Sequence, residues 1–240
     1  MTGTPPETYL RWMTDGHEYF LARLQRLDDV ELERPSRLPG WNGRHLLSHI
    51  GHNARALARL AHWAATGERT PMYPGPEARD TEIESGARWE TARLRAFVVE
   101  EQQHLDTALG KVTADRRQAG VVTAQGRTIP ASSIPWLRSR EVWIHAYDLP
   151  GDGDFADFPA DFLDALIEDV VSRRRAAPPT SALEVRATDR GTASGHDRTS
   201  DGRRVEGSAA DLARWLTRGA PATGLHTVSG APVPALPAWL

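Results

Sequence analysis

Cysteine is absent from the 240-residue chain. Its absence excludes disulfide bonds, thiolate metal sites and a nucleophilic protein thiol. A metal ion bound here must therefore use histidine and carboxylate ligands, and any thiol chemistry must import its thiol. Lysine is nearly absent too, because Lys111 is the only one. The preference for arginine, together with abundant alanine, is typical of GC-rich genomes such as those of actinobacteria.

Long apolar runs are also missing. No stretch approaches the roughly 20 apolar residues that cross a bilayer, and the first residues lack the basic and then apolar segments of a secretory signal. The formal net charge of −3 gives no general attraction to nucleic acid or to an anionic membrane. We therefore expect a cytoplasmic protein with neither a nucleic acid nor a membrane as its partner.

Helical periodicity dominates the first two thirds of the chain, where apolar residues recur at intervals of three and four. Asn42 is suited to cap the start of a helix and Gly67 to end it. Residues 120–130 have the pattern of a short hairpin. The long predicted helices are 5–27, 43–65, 80–109 and one that Ser132 and Ser133 cap. Four long helices joined by loops indicate an antiparallel four-helix bundle.

The character of the sequence changes after a fifth predicted helix at 162–174. Residues 182–187 alternate between apolar and polar as a strand does, and 208–218 have helical periodicity. The sequence therefore predicts an α+β chain of two domains, a helical bundle over 1–177 and a small α/β domain over 178–240.

Glu141 and His145 lie four residues apart in a segment without glycine or proline, so a helix places them on one face, one turn apart. His49 lies close to the apolar stripe of the second helix and should point into the bundle. Two imidazoles and one carboxylate with open coordination positions suit Zn²⁺ or Fe²⁺. The same residues also fit a core histidine and an ordinary surface pair, and His45 and His52 compete with His49.

Five short motifs resemble the mycothiol-dependent maleylpyruvate isomerase family, which belongs to the DinB-like metal-binding four-helix bundles. The resemblance covers about residues 5–175. The tail segment 211–219 is similar to the sterol-carrier-like C-terminal domain of the same family. The bundle motifs are Leu38-Pro39-Gly40-Trp41, Arg44 to His49, Asn53-Ala54, Arg140-Glu141 with His145, and Asp148-Leu149.

The resemblance implies a set of functional residues and cofactors. His49, Glu141 and His145 match the family's ligands for a divalent metal ion, expected to be zinc. Arg218 matches an arginine implicated in activity, with Arg214 as the alternative. An arginine at the end of a helix is equally consistent with simple stabilisation by the helix dipole.

Asp148 and Trp41 each have two interpretations. Asp148 could accept a hydrogen bond from a ligand imidazole, or it could merely end a helix beside Pro150. Trp41 could line a pocket, or it could pack a turn against the following helix. The sequence does not decide between these interpretations.

In the resembled family, mycothiol is the cofactor for the cis–trans isomerisation of maleylpyruvate. Addition of a thiolate makes the double bond single for a time, so that rotation and elimination give the trans isomer. A thiol S-transferase acting on electrophiles would use the same groups but keep the adduct. A non-catalytic module that binds a small ligand or has a regulatory role is the alternative from another class, with the histidines then only structural.

Overall fold

The computed structural model describes residues 4–176, 183–190, 204–219, 223–237 and 239. The chain divides into two compact units, Thr4–Gly153 and the residues from Asp154 onward. The predicted domain boundary, between residues 177 and 178, falls outside the described residues and stays a prediction. The predicted fold class is confirmed, because a helical bundle precedes a smaller unit that combines helices with a sheet.

The first unit is built around four long helices that enclose an apolar core. Two shorter helices lie in the connections, and the hairpin predicted over 120–130 is present as β1 (Gly120–Val122) paired antiparallel with β2 (Thr128–Pro130). The helices are α1 (Pro6–Gln25), α2 (Asp29–Leu32), α3 (Gly43–Thr66), α4 (Ala78–Ala87), α5 (Thr91–Gly110) and α6 (Ile134–Asp148). One part of this apolar core contains Phe20, Leu46, Leu47, Ile50, Leu94, Val98 and Ala146.

Helix α3 begins and ends where its sequence predicts. The Asn42 side chain accepts a hydrogen bond from the backbone N–H of His45, and the His45 side chain accepts one from the backbone N–H of Asn42. This reciprocal arrangement satisfies donors that a helix start leaves open. At the other end, Gly67 adopts a left-handed conformation with φ 83°, which glycine reaches without steric cost.

The prediction of a single long helix over 80–109 is wrong, because the chain forms two helices, α4 and α5, with a break at 88–90. The Arg44 side chain stabilises the break. Its Nε donates to the carbonyl of Ala87 at 2.8 Å, and a second nitrogen donates to the carbonyl of Trp89. Carbonyls that a continuous helix would satisfy are therefore satisfied by a residue of another helix, and the local sequence does not reveal this contact.

The start of α6 also differs from its prediction. Residues 131–133 form a 3₁₀ turn, and Ser133 makes no side-chain capping hydrogen bond. Pro135 lies in the first turn of the helix instead. Proline suits this position because the N–H that it lacks would have no partner within the helix.

Helices α1 and α6 pack so closely that a side chain at Gly16 would overlap side chains of α6. A Cβ atom on Gly16 would lie 2.6 Å from the Trp143 ring and 2.7 Å from the Val142 side chain. The Trp143 ring is itself fixed, because its Nε1 donates to the carbonyl of Trp12 at 2.8 Å. This contact sets the position of α6, the helix that carries Glu141 and His145.

Over its described residues, the second unit forms two α-helices, a short 3₁₀ helix (Phe155–Asp157) and a small mixed sheet. The helices are α7 (Ala160–Arg175) and α8 (Ala209–Arg218), and the strands are β3 (Val185–Ala187), β4 (Val205–Gly207) and β5 (His226–Thr227). Strand β4 pairs parallel with β3 and antiparallel with β5. The predicted fifth helix and tail helix are thus present. None of the described helices is long and apolar enough to cross a membrane.

We predict that Gly16→Ala lowers the free energy of unfolding by about 1–3 kcal/mol, because the new methyl group overpacks the contact between α1 and α6. Chemical denaturation measures this change. Gly110→Ala is the matched control, since this exposed helical glycine has no atom near its Cβ position. The control should be neutral or stabilised by up to about 1 kcal/mol. Equal effects in the two variants would contradict the close contact.

Candidate metal centre

Three side chains from two helices converge in the bundle. His49 comes from α3, and Glu141 and His145 come from α6. One ligand atom from each lies within 4.8 Å of the others. The Oε2 atom of Glu141 is 3.0 Å from Nε2 of His49 and 3.3 Å from Nε2 of His145. The structure therefore brings together all three residues that the sequence proposed as metal ligands.

The three side chains are largely shielded from solvent. The exposed fraction is 4% for each imidazole and 15% for the Glu141 side chain. Burial lowers the pKa of His49 to about 4, although the hydrogen bond with Glu141 opposes the shift. Burial alone would raise the pKa of Glu141, but hydrogen bonds from His145 and His49 hold it well below its usual range. Glu141 is thus an anion at neutral pH, the form in which a carboxylate binds a metal ion.

Asp148 fixes the orientation of the His145 ring. Its Oδ2 lies 2.8 Å from Nδ1 of His145, and its side chain is completely buried. Burial would lower the pKa of His145, but its hydrogen bonds with Asp148 and Glu141 raise it. An imidazole that donates through Nδ1 presents Nε2 to the opposite side, which is the side of Glu141. Of the two interpretations of Asp148, the structure therefore supports the hydrogen-bond acceptor.

The donor set fits a divalent metal ion. Two imidazole nitrogens and one carboxylate oxygen are one of the common donor sets of catalytic zinc sites, and they also suit non-haem Fe²⁺. Protein ligands of this number leave coordination positions for water or substrate. The carboxylate that holds the far nitrogen of His145 is also typical of metal-binding histidines.

The two competing histidines have other roles. His45 takes part in the cap at the start of α3 and lies 3.7 Å from Glu84. The His52 ring packs against the Phe97 ring, with ring centroids 4.8 Å apart, and lies 3.4 Å from Glu82. Neither histidine belongs to the cluster around Glu141.

Trp41 packs directly against a candidate ligand. Its ring centroid is 5.5 Å from that of His49 and 6.2 Å from that of His45, on which it stacks. The Trp41 side chain is half-buried, so it shields His49 while remaining partly open to solvent. The structure therefore supports the packing interpretation of Trp41, and one of the rings that it contacts belongs to the candidate ligand His49.

Arg138, which is not among the residues predicted from the sequence, occupies the inner face of α6 one turn before Glu141. It is completely buried and bonded to α3 and α5. The spacing of Arg138 could have indicated its position, because residues 138, 141, 145 and 148 follow one another at intervals of three, four and three. Four polar residues at the spacing of a core stripe are unusual in a bundle helix.

Arg218 and Arg214 both lie on α8 in the second unit. Arg218 is the last residue of the helix, and its Nη1 donates to the carbonyl of Thr217 at 3.3 Å. Arg214 pairs with Asp211 at 2.7 Å. The role of Arg218 in activity stays a prediction, because its contacts within α8 are compatible with either of its interpretations.

Comparison with known proteins relates the chain to one family. The model of the mycothiol maleylpyruvate isomerase N-terminal domain matches residues 13–150. Two solved structures resemble the whole chain, a mycothiol-dependent maleylpyruvate isomerase and a variant of it with one histidine replaced by alanine. Each is 35% identical to this chain, covers 98% of both chains and superposes with a TM-score of 0.87. No curated protein matches.

We predict that Asp148→Asn weakens metal binding by about 10- to 100-fold, because the His145 ring loses its anionic partner. Competition with a chromogenic chelator measures the dissociation constant. Asp15→Asn is the control, since Asp15 forms only an exposed pair with Arg11. An affinity as high in Asp148→Asn as in the control would show that Asp148 does not orient the ligand.

Proposed function

Because this chain belongs to the mycothiol maleylpyruvate isomerase family, we propose that it is a metal-dependent enzyme that uses mycothiol to isomerise maleylpyruvate. Identity of 35% along almost the full length of a solved isomerase supports the reaction. The convergence of His49, Glu141 and His145 is the observation that carries the metal dependence.

The proposed metal ligands are His49, Glu141 and His145, and zinc is the proposed ion. A bound divalent cation would lower the pKa of a thiol or polarise a substrate carbonyl. The protein contributes a buried anion in Glu141 and a ring held in one orientation by Asp148. The surrounding contacts thus hold the proposed ligands close together before an ion binds.

The nucleophile in this proposal comes from outside the chain, since the protein has no cysteine. The mycothiol thiolate would add to one carbon of the double bond and leave after rotation, so that it is regenerated in each turnover. Arg218 is the proposed residue for a substrate carboxylate, because a guanidinium can bind both carboxylate oxygens at once.

We predict that Glu141→Gln lowers metal affinity roughly tenfold or more and lowers turnover with it, because the only anionic donor of the cluster becomes neutral. Elemental analysis of untagged protein and an isomerase assay measure the two effects. Glu84→Gln is the matched control, because Glu84 also lies near a histidine but outside the three donors. Full metal content and activity in Glu141→Gln would refute the assignment of this residue.

We predict that a small, fixed amount of mycothiol supports conversion of many equivalents of maleylpyruvate. NMR spectroscopy follows the trans product, and thiol titration follows free mycothiol in the same sample. An isomerase returns the thiol, so its concentration should stay constant. Loss of one thiol per product formed would instead identify a transferase. Absence of turnover in metal-loaded protein would support a non-catalytic binding module.

A further inference from the structure

Arg138 is a completely buried arginine in the interior of the helical bundle. Its Nη1 atom donates to the carbonyl of Ile50 at 2.8 Å and to Oδ1 of Asn53 at 2.9 Å. Its Nε atom donates to Oε1 of Gln102 at 2.9 Å. One side chain of α6 therefore bonds to both α3 and α5.

The buried guanidinium costs stability rather than simply providing it. All three acceptors are neutral, and Nη2 is buried without a hydrogen-bond partner among the described residues. Burial lowers the pKa of Arg138 only to about 10, so the group stays charged at neutral pH. Replacing buried charged groups with apolar ones is often neutral or stabilising. A role in stability alone therefore does not explain an arginine at this position.

The bonds of Arg138 connect the two helices that carry the candidate metal ligands. Ile50 directly follows His49 on α3, and Asn53 lies one turn further along it. Arg138 itself lies one turn before Glu141 on α6. Its third acceptor, Gln102, is on α5, which contributes no residue to the ligand cluster.

We propose that Arg138 is a positioning residue that sets the spacing of α3 and α6, and thereby holds His49 at the distance from Glu141 that metal binding requires. This inference rests on the proposed metal-dependent function. The planar guanidinium suits the role, because its donors have a fixed geometry that a lysine cannot reproduce. Metal affinity should therefore depend on the bonds to α3 and not on the bond to α5.

Asn53 and Gln102 provide a matched test of this difference. Both are buried amides that accept a 2.9 Å hydrogen bond from Arg138, but only Asn53 is on a ligand-bearing helix. Zn²⁺ affinity is measured by chelator competition, and the coordination geometry is followed by the visible absorption of bound Co²⁺. Denaturation of the metal-free variants measures their stability separately.

We expect Asn53→Ala to weaken Zn²⁺ binding roughly tenfold or more and to change the Co²⁺ spectrum. Gln102→Ala should lose comparable stability but keep its Zn²⁺ affinity within about twofold of the wild type. Arg138→Met should weaken Zn²⁺ binding at least as much as Asn53→Ala, and Arg138→Lys should recover part of the affinity. If Arg138→Met does not fold, the comparison of Asn53→Ala with Gln102→Ala still tests the positioning role.

Equal Zn²⁺ affinities in Asn53→Ala and Gln102→Ala would overturn the positioning role and leave the proposed function intact. Parallel losses of affinity and stability in both variants would also overturn it, because the effect would then be one of general stability. A wild-type protein that binds neither Zn²⁺ nor Co²⁺ would overturn the metal-dependent function, and the positioning role with it.

Discussion

Glu141 is a carboxylate held between two imidazole rings inside a helical bundle. The packing of the bundle must keep both rings close enough to stabilise the buried negative charge. A buried anion is costly unless hydrogen bonds or opposite charges compensate it. Here His49 and His145 provide the compensation, at 3.0 and 3.3 Å from the same oxygen. Because the two rings come from different helices, the stability of the anion depends on the separation of α3 and α6. An ångström of displacement would remove the bonds.

Several contacts outside the cluster fix that separation. The glycine contact between α1 and α6 leaves no space for α6 to shift toward α1. The cap formed by Asn42 and His45 defines where α3 begins, six residues before His49. Arg138 then ties α6 to α3 from the inside. The precision of a metal site in a bundle comes from such contacts, since its ligands have few rotamers that can correct a misplaced helix.

Much of this arrangement can be predicted from the sequence, and the features that cannot be predicted depend on contacts between helices. The spacing of Glu141 and His145 places both on one helix face by geometry alone. The choice of His49 as their partner depends on which helices pack together, and periodicity does not determine that pairing; family resemblance did. Local sequence does not reveal the break between α4 and α5 for a similar reason, because Arg44 of α3 satisfies carbonyls at the break. The sequence does not place Arg138 in the core, because arginines are mostly found at the surface.

The inner face of α6 explains why a polar site can exist in this bundle at all. Arg138, Glu141, His145 and Asp148 occupy positions at which a bundle helix normally places apolar side chains. Along the helix, a cationic arginine precedes an anionic glutamate, and an imidazole precedes an anionic aspartate, so each carboxylate follows a basic side chain. Asp148 compensates His145, the two imidazoles compensate Glu141, and neutral acceptors on α3 and α5 receive Arg138. A divalent ion bound by Glu141 would thus add a positive charge beside an aspartate and an imidazole that already bond to each other. Because the three proposed ligands come together only when α3 and α6 pack, metal binding in this proposal is coupled to folding of the bundle.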